Sequence, residues 1–161
     1  MIVALAEAVA EREAARSRGE LCAVANGAFD LLHVGHLRYL EAARQLVGAG
    51  GLLIVGVNSD ASVRASKGPS RPIIPQAERA ELVAALACVD RVVIFEEKTA
   101  AALLAALRPD FHAKGTDYSV ESVPERALVE SFGGRTVICG DPKDHSTSAL
   151  AELLRSSGSR E

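Results

Sequence analysis

Leu21-Cys22-Ala23-Val24-Ala25-Asn26-Gly27-Ala28-Phe29-Asp30-Leu31-Leu32-His33-Val34-Gly35-His36 sets the fold class of this chain. Residues 21 to 25 run apolar, without a polar break, into Asn26-Gly27. That is the pattern of a short buried strand feeding a tight turn. From Gly35 to Val47 the apolar positions Leu37, Leu40, Ala43 and Val47 recur at helical spacing, and Gly48-Ala49-Gly50-Gly51 ends that helix. Leu52 to Val57 is then apolar on every side, as strands covered on both faces of a parallel sheet are.

The alternation continues to the end of the chain. A short helix and the loop Lys67-Gly68-Pro69-Ser70-Arg71-Pro72 precede a helix from about Pro75, suited to a first helical position, to Ala87. Arg91 to Phe95 reads as a third strand, Thr99 to Leu107 as a helix, and Phe111 to Lys114 as a fourth strand. A helix near Pro124 to Ser131, a strand at Thr136 to Cys139 and a last helix from about Ser146 to Leu154 follow. The expected fold class is α/β: a Rossmann-like, open, mostly parallel sheet of about five strands with helices on both faces. Residues 1–20 read as an amphipathic helix added before the domain, residues 21–155 as the domain, and residues 156–161 as a frayed tail.

Length and composition narrow the function classes. A chain of 161 residues suits one domain, and 48% hydrophobic with 24% charged residues is ordinary folded, soluble composition. Aromatic residues make up only 4% and Trp is absent, which disfavours stacking platforms for single strands. With a net charge of −3, no nucleic-acid partner is expected. Cys22, Cys88 and Cys139 are far apart, signalling neither a disulfide framework nor a zinc site, and they fit a reducing compartment. The apolar start contains Glu7 and runs into Glu11-Arg12-Glu13, unlike a signal peptide. No apolar run reaches the roughly 20 residues that cross a bilayer, so no membrane partner and a cytoplasmic location are expected.

Four strand-end loops are rich in polar and basic residues: Asn26 to His36, Lys67 to Arg71, Lys114 to Asp117, and Asp141 to Ser148. In open parallel sheets ligands bind beyond the carboxyl ends of the strands, where the strand order reverses, so these loops are expected to converge. His33 and His36 are three apart at a helix start, where both imidazoles reach a single anion. The free N–H groups and positive dipole end of that helix also favour negative charge, and Gly35 lets an oxygen approach the backbone. Phosphate is the natural ligand. A half-built metal site is the competing reading, but no third ligand is evident in the other loops.

The segment Asn26-Gly27-Ala28-Phe29-Asp30 followed by His33-Val34-Gly35-His36 resembles the HxGH signature of the nucleotidyltransferase superfamily. It comes with Gly56-Val57-Asn58-Ser59-Asp60, Lys67-Gly68, Arg71-Pro72-Ile73, Glu78-Arg79-Ala80-Glu81, Lys114-Gly115-Thr116-Asp117-Tyr118 and His145-Ser146-Thr147-Ser148 in order. Together these cover residues 21–154 and are most similar to the adenylyltransferase domain of bacterial heptose 1-phosphate adenylyltransferases. In that group the domain is often fused to a sugar kinase, so a chain of this length is expected to be the stand-alone form.

The resemblance implies transfer of AMP from ATP to D-glycero-D-manno-heptose 1-phosphate, giving ADP-heptose and pyrophosphate. The alternative is a CTP-dependent cytidylyltransferase acting on glycerol 3-phosphate or a similar small phosphorylated alcohol. The Arg-Thr-x-Gly segment of that group is absent here, where Asp141-Pro142-Lys143-Asp144-His145 stands instead. A nucleotide-binding regulatory module without turnover is the reading from a different class. Mg²⁺ is expected to be held mainly by the triphosphate, and a homodimer is implied.

Residue by residue, His33 and His36 are expected to donate hydrogen bonds to the triphosphate, with Lys114 as a further catalytic group. The near-neutral pKa of histidine makes that role pH-sensitive. Asn26, Gly27, Phe29 and Gly35 are expected around the nucleotide, Asp117 on its ribose hydroxyls, and Ser146 and Thr147 on its β- and γ-phosphates. Lys67 and Arg71 would close over the sugar phosphate, and Arg79 matches a phosphate-contacting position of related cytidylyltransferases. Asp30 is expected to position the acceptor or its own loop, and Asn58 to shape the acceptor pocket. The plainer readings are a helix cap for Ser146 and Thr147, a solvated loop for Lys67 and Arg71, and a surface site for Arg79.

Overall fold

A computed structural model describes residues 1–141. Helix α1 (Leu5–Ser17) leads into β1 (Cys22–Gly27), α2 (Val34–Gln45), β2 (Leu52–Asn58), α3 (Asp60–Lys67) and α4 (Gln76–Ala84). Strand β3 (Arg91–Phe95), α5 (Ala101–Leu107), β4 (Phe111–Gly115), a 3₁₀ turn (Val120–Ser122), α6 (Arg126–Ser131) and β5 (Arg135–Cys139) follow. The helix expected at Ser146 to Leu154 and the tail at 156–161 lie outside the described residues.

All five strands are parallel, in the order β3-β2-β1-β4-β5. The expected α/β sheet is what forms, and its order reverses between β1 and β4. Burial explains why the strands read as unbroken apolar runs: Cys22, Ala23, Val24 and Ala25 are all fully buried because helices cover both faces. On one face, Ala23, Ala25, Leu40, Ala43, Val55 and Val83 form a core under α2 and α4. On the other, Cys22, Val24, Ile54, Leu103, Leu104, Leu107 and Val129 form a second core under α5 and α6. At Gly56 a Cβ would meet the Leu103 side chain at 2.5 Å, so glycine there lets α5 lie close to the sheet.

The N-terminal segment is not an addition to the domain. Val3 N–H donates to Val92 C=O at 2.9 Å and Val92 N–H to Met1 C=O at 3.0 Å, so residues 1–3 cover the otherwise open edge of β3. Val3 and Ala8 belong to the second core. Arg12, only 2% exposed, pairs with Asp110 at 3.0 Å, and Asp110 also accepts from Cys22 N–H at 2.7 Å. Asp90 plays the same part beside β2, accepting from Leu53 N–H at 2.7 Å and from Arg44. These carboxylates brace the amino ends of the strands.

Several helix boundaries fall a few residues from expectation, two of them for a clear local reason. Helix α2 starts at Val34 because His33 caps it, and Pro75 is the residue before α4, extended at ψ 148°, not its first helical residue. No helix among the described residues is long and apolar enough to cross a membrane.

Candidate active site

A cavity of about 550 Å³ opens over the carboxyl ends of the strands, at the β1/β4 reversal, within the size range of small-ligand sites. Residues at and beyond the end of β1 (Asn26, Gly27, Phe29, Asp30), at the start of α2 (His33, Gly35, His36) and at and beyond the end of β4 (Lys114, Asp117) line it together. Asn58 at the end of β2 and Lys67 at the end of α3 complete the expected set on its wall. Ser146 and Thr147 lie outside the described residues.

The two histidines are arranged by the helix start itself. Gly35 N–H donates to His33 Nδ1 at 3.1 Å, and His33 N–H points to His36 Nδ1 at 3.4 Å, so each ring satisfies a backbone donor of the first turn. The ring centroids are 3.9 Å apart. With Nδ1 accepting, a neutral ring carries its proton on Nε2, as a donor. His36 is pushed down to about 4 by burial and by His33 and Lys67, against a smaller opposite pull from Asp117. It is therefore neutral at physiological pH in the free site, and the near-neutral sensitivity expected from histidine does not apply to it.

Phe29 supplies the other wall of this corner. Its φ of 49° is left-handed, an uncommon state for a large side chain, and it turns the chain so that the buried ring lies 5.2 Å from that of His36. Nothing in an Asn-Gly-Ala-Phe sequence announces this.

Asp30 organises the loop more than it faces a ligand. It is 1% exposed, accepts from Ile73 N–H at 2.7 Å and Ile74 N–H at 3.0 Å, and pairs with Arg71. Burial pushes its carboxyl upward, but the Ile74, Arg71 and Ile73 hydrogen bonds outweigh that and hold it below the usual range. Arg71 is thereby spent on Asp30 and does not line the cavity, contrary to its expected place over the acceptor.

Arg79 is a clearer correction. It is fully buried, away from the cavity, with Nε donating to Ile74 C=O at 2.8 Å and Nη1 to Ala28 C=O. Nη2 reaches Asn58 C=O at 2.9 Å and Asp60 at 2.8 Å. A guanidinium so occupied ties the ends of β1 and β2 to the approach of α4 and has little left for a phosphate. The Asn58 amide likewise turns to Ser62, donating at 3.0 Å.

Lys114 is 7% exposed, its ammonium 4.6 Å from the centre of the Tyr118 ring. Burial lowers its pKa, with Glu125 pulling the other way. Among the wall residues that sequence reasoning missed are Lys98, Thr99 and Glu125. The signal available for the first two was position alone, just past the carboxyl end of β3. Among the described residues no three His, Cys, Asp or Glu side chains cluster as a metal site.

Two neutral histidines, half-buried His36 and fully buried His112, set an acid limit on stability. His36 at about 4 and His112 at about 3, the latter lowered by burial and then by Lys114, lie below the roughly 6.5 of an unfolded histidine. The unfolded chain therefore binds protons first. The histidine contribution is complete above about pH 6.5 and is lost as pH falls toward 4 and 3. Urea unfolding at pH 7.5 and 5.5 is expected to show lower stability at 5.5, with a smaller drop in His112→Leu. Equal drops in both proteins would contradict the assignment for His112.

Comparison with known proteins agrees with this geometry. Residues 24–158 match the model of the cytidylyltransferase-like family. The chain belongs to that family. It is 50% identical over 142 residues to the bifunctional protein HldE of Syntrophotalea carbinolica, covering 88% of this chain and 28% of that protein. It is 51% identical over 142 residues to the bifunctional protein HldE of Pelobacter propionicus, with the same shares covered. The chain thus spans under a third of the length of these relatives. Among solved structures, the lipopolysaccharide core biosynthesis protein of Thermoplasma volcanium superposes with a TM-score of 0.66 at 25% identity, over 78% of this chain and all of that one.

Proposed function

We propose that this cytidylyltransferase-like chain transfers AMP from MgATP to D-glycero-D-manno-heptose 1-phosphate, releasing pyrophosphate and forming ADP-heptose. The observation that carries the reaction type is the His33–His36 pair, each ring held through Nδ1 at the start of α2 on the wall of the cavity. The 50% identity to an HldE protein and the likeness to a lipopolysaccharide core biosynthesis protein support the sugar phosphate as acceptor.

In this reaction an acceptor phosphate oxygen forms a bond to the α-phosphorus as the bond from that phosphorus to the bridging oxygen breaks. The electron pair leaves with pyrophosphate. No covalent bond to the protein is needed, so the protein's task is to align the two phosphates and to stabilise growing charge. His33 and His36 do so from the helix start, where the dipole adds a positive field. Lys114 contributes a buried cation whose charge is weakly screened. Lys67 and Lys98 on the wall offset the repulsion between two polyanions. Mg²⁺ enters with the nucleotide, and Ser146 and Thr147 remain the proposed hydroxyls for its outer phosphates.

The test is turnover across ATP, CTP, GTP and UTP, each with heptose 1-phosphate or glycerol 3-phosphate. Pyrophosphate release with ATP and the heptose is expected. Release with CTP and glycerol 3-phosphate instead would place the chain with the cytidylyltransferases that act on small alcohols.

A further inference from the structure

Beneath the cavity floor lies a polar row centred on buried His112 that the reaction as described does not use. Val24 of β1, His112 of β4 and Thr136 of β5 stand at paired register positions, so their side chains share the face toward α5 and α6. Asn26, two residues beyond Val24, is on that same face one step nearer the cavity, whose wall it joins. His112 is fully buried, and its Nε2 lies 3.0 Å from Asn26 Oδ1. His112 Nδ1 and Thr136 Oγ1 are buried with no partner.

An asparagine amide has one acceptor and one double donor, nearly the same in shape, and beside an anion only the NH₂ side is useful. Turned the other way, the carbonyl oxygen would face phosphate oxygens and repel them. A His112 ring with its proton on Nε2 selects between the two orientations, because Oδ1 can accept from it and Nδ2 cannot.

We propose that His112 is a positioning residue for the nucleotide: its Nε2–H holds Asn26 Oδ1 so that the Asn26 NH₂ is presented to a phosphate or ribose oxygen in the cavity. This rests on the nucleotide-binding function proposed above. The ring is suited to the part because it stays neutral: burial and then Lys114, the charged group that bears on it, hold its pKa at about 3. A neutral ring with its proton on Nε2 leaves Nδ1 as an acceptor, and Thr136 next to it in register carries a hydroxyl able to donate. The two orphaned atoms are thus complementary. Groups that orient a ligand-binding side chain from behind commonly change affinity or rate by about 10- to 100-fold when removed.

The experiment is a double-mutant cycle on ATP affinity, read by calorimetry, with pyrophosphate release as a second readout and thermal unfolding as a control. His112→Leu is expected to weaken ATP by about 10- to 100-fold, and His112→Gln, which keeps an N–H donor at similar reach, to recover most of the loss. In an Asn26→Ala background His112→Leu is expected to add nothing. Should His112→Leu fail to fold, Asn26→Asp tests the same point, since it keeps the bond to His112 but offers the cavity an oxygen; affinity is expected to fall at least as far. Affinity unchanged in His112→Leu or Asn26→Asp, or fully additive losses in the cycle, would overturn the proposal while wild-type binding leaves the nucleotide function standing. A wild-type chain that binds no nucleotide would overturn both.

Discussion

His36→Ala is expected to lower kcat/KM for AMP transfer by about 10²- to 10³-fold, the range seen when one donor to a developing oxyanion is removed. The fold should survive, because the cap it supplies to His33 N–H is a long one at 3.4 Å while His33 itself still accepts from Gly35. The free-enzyme profile is part of the expectation. Since His36 titrates at about 4 in the free site, kcat/KM of the wild type should show no inflection near 6.5 from this group. Pyrophosphate release across pH 5.5 to 8.5 for both proteins checks this, and a variant within threefold of wild type would remove His36 from the chemistry.

Arg79→Met is expected to act on stability instead. It deletes the donor to three carbonyls, on Ala28, Asn58 and Ile74, and to the Asp60 carboxylate, and Arg79 is fully buried. Removing one partner from a buried ion pair with such hydrogen bonds costs about 3–5 kcal/mol. For a chain of this size that lowers the thermal midpoint by roughly 10 °C. Urea unfolding measures it, and KM for the acceptor should stay near wild type in the fraction that folds. Undiminished stability with a raised acceptor KM would return Arg79 to the phosphate contact that its motif position implies.

Arg79 also shows where sequence stops informing. The parallel sheet was legible because Leu52 to Val57 is apolar on both alternating faces, and the end that carries the cavity because His33 and His36 mark a strand-to-helix passage. Those are local patterns. Whether an arginine on α4 meets solvent or the carbonyls of Ala28, Asn58 and Ile74 depends on segments up to 51 residues away. The same holds for Arg71, which Asp30 claims from 41 residues upstream. Lys98 and Glu125 belong to no motif and reach the cavity only through the sheet order. Phe29 is the opposite case: its place was legible from the motif, but its left-handed backbone, which sets the ring against His36, was not.

The N-terminal helix forms where the sequence places it, and its packing has a physical reason. An Ala-rich segment with Glu and Arg on its flanks reads as an amphipathic helix added before the domain, yet its small side chains allow close packing, and Ala8 and Ala15 are buried. Arg12 joins them because its Nη1 and Nη2 donate to the Asp110 carboxylate and the carbonyls of Glu20 and Arg108.

The central claim is the transfer of AMP to a heptose phosphate. Its most direct test is mass analysis of the product formed from MgATP and D-glycero-D-manno-heptose 1-phosphate, alongside pyrophosphate release and with His36→Ala as the control. ADP-heptose formed in step with pyrophosphate, and lost in the variant, is the predicted result. Pyrophosphate released equally without the sugar phosphate, or ADP-heptose formed equally by the variant, would contradict it.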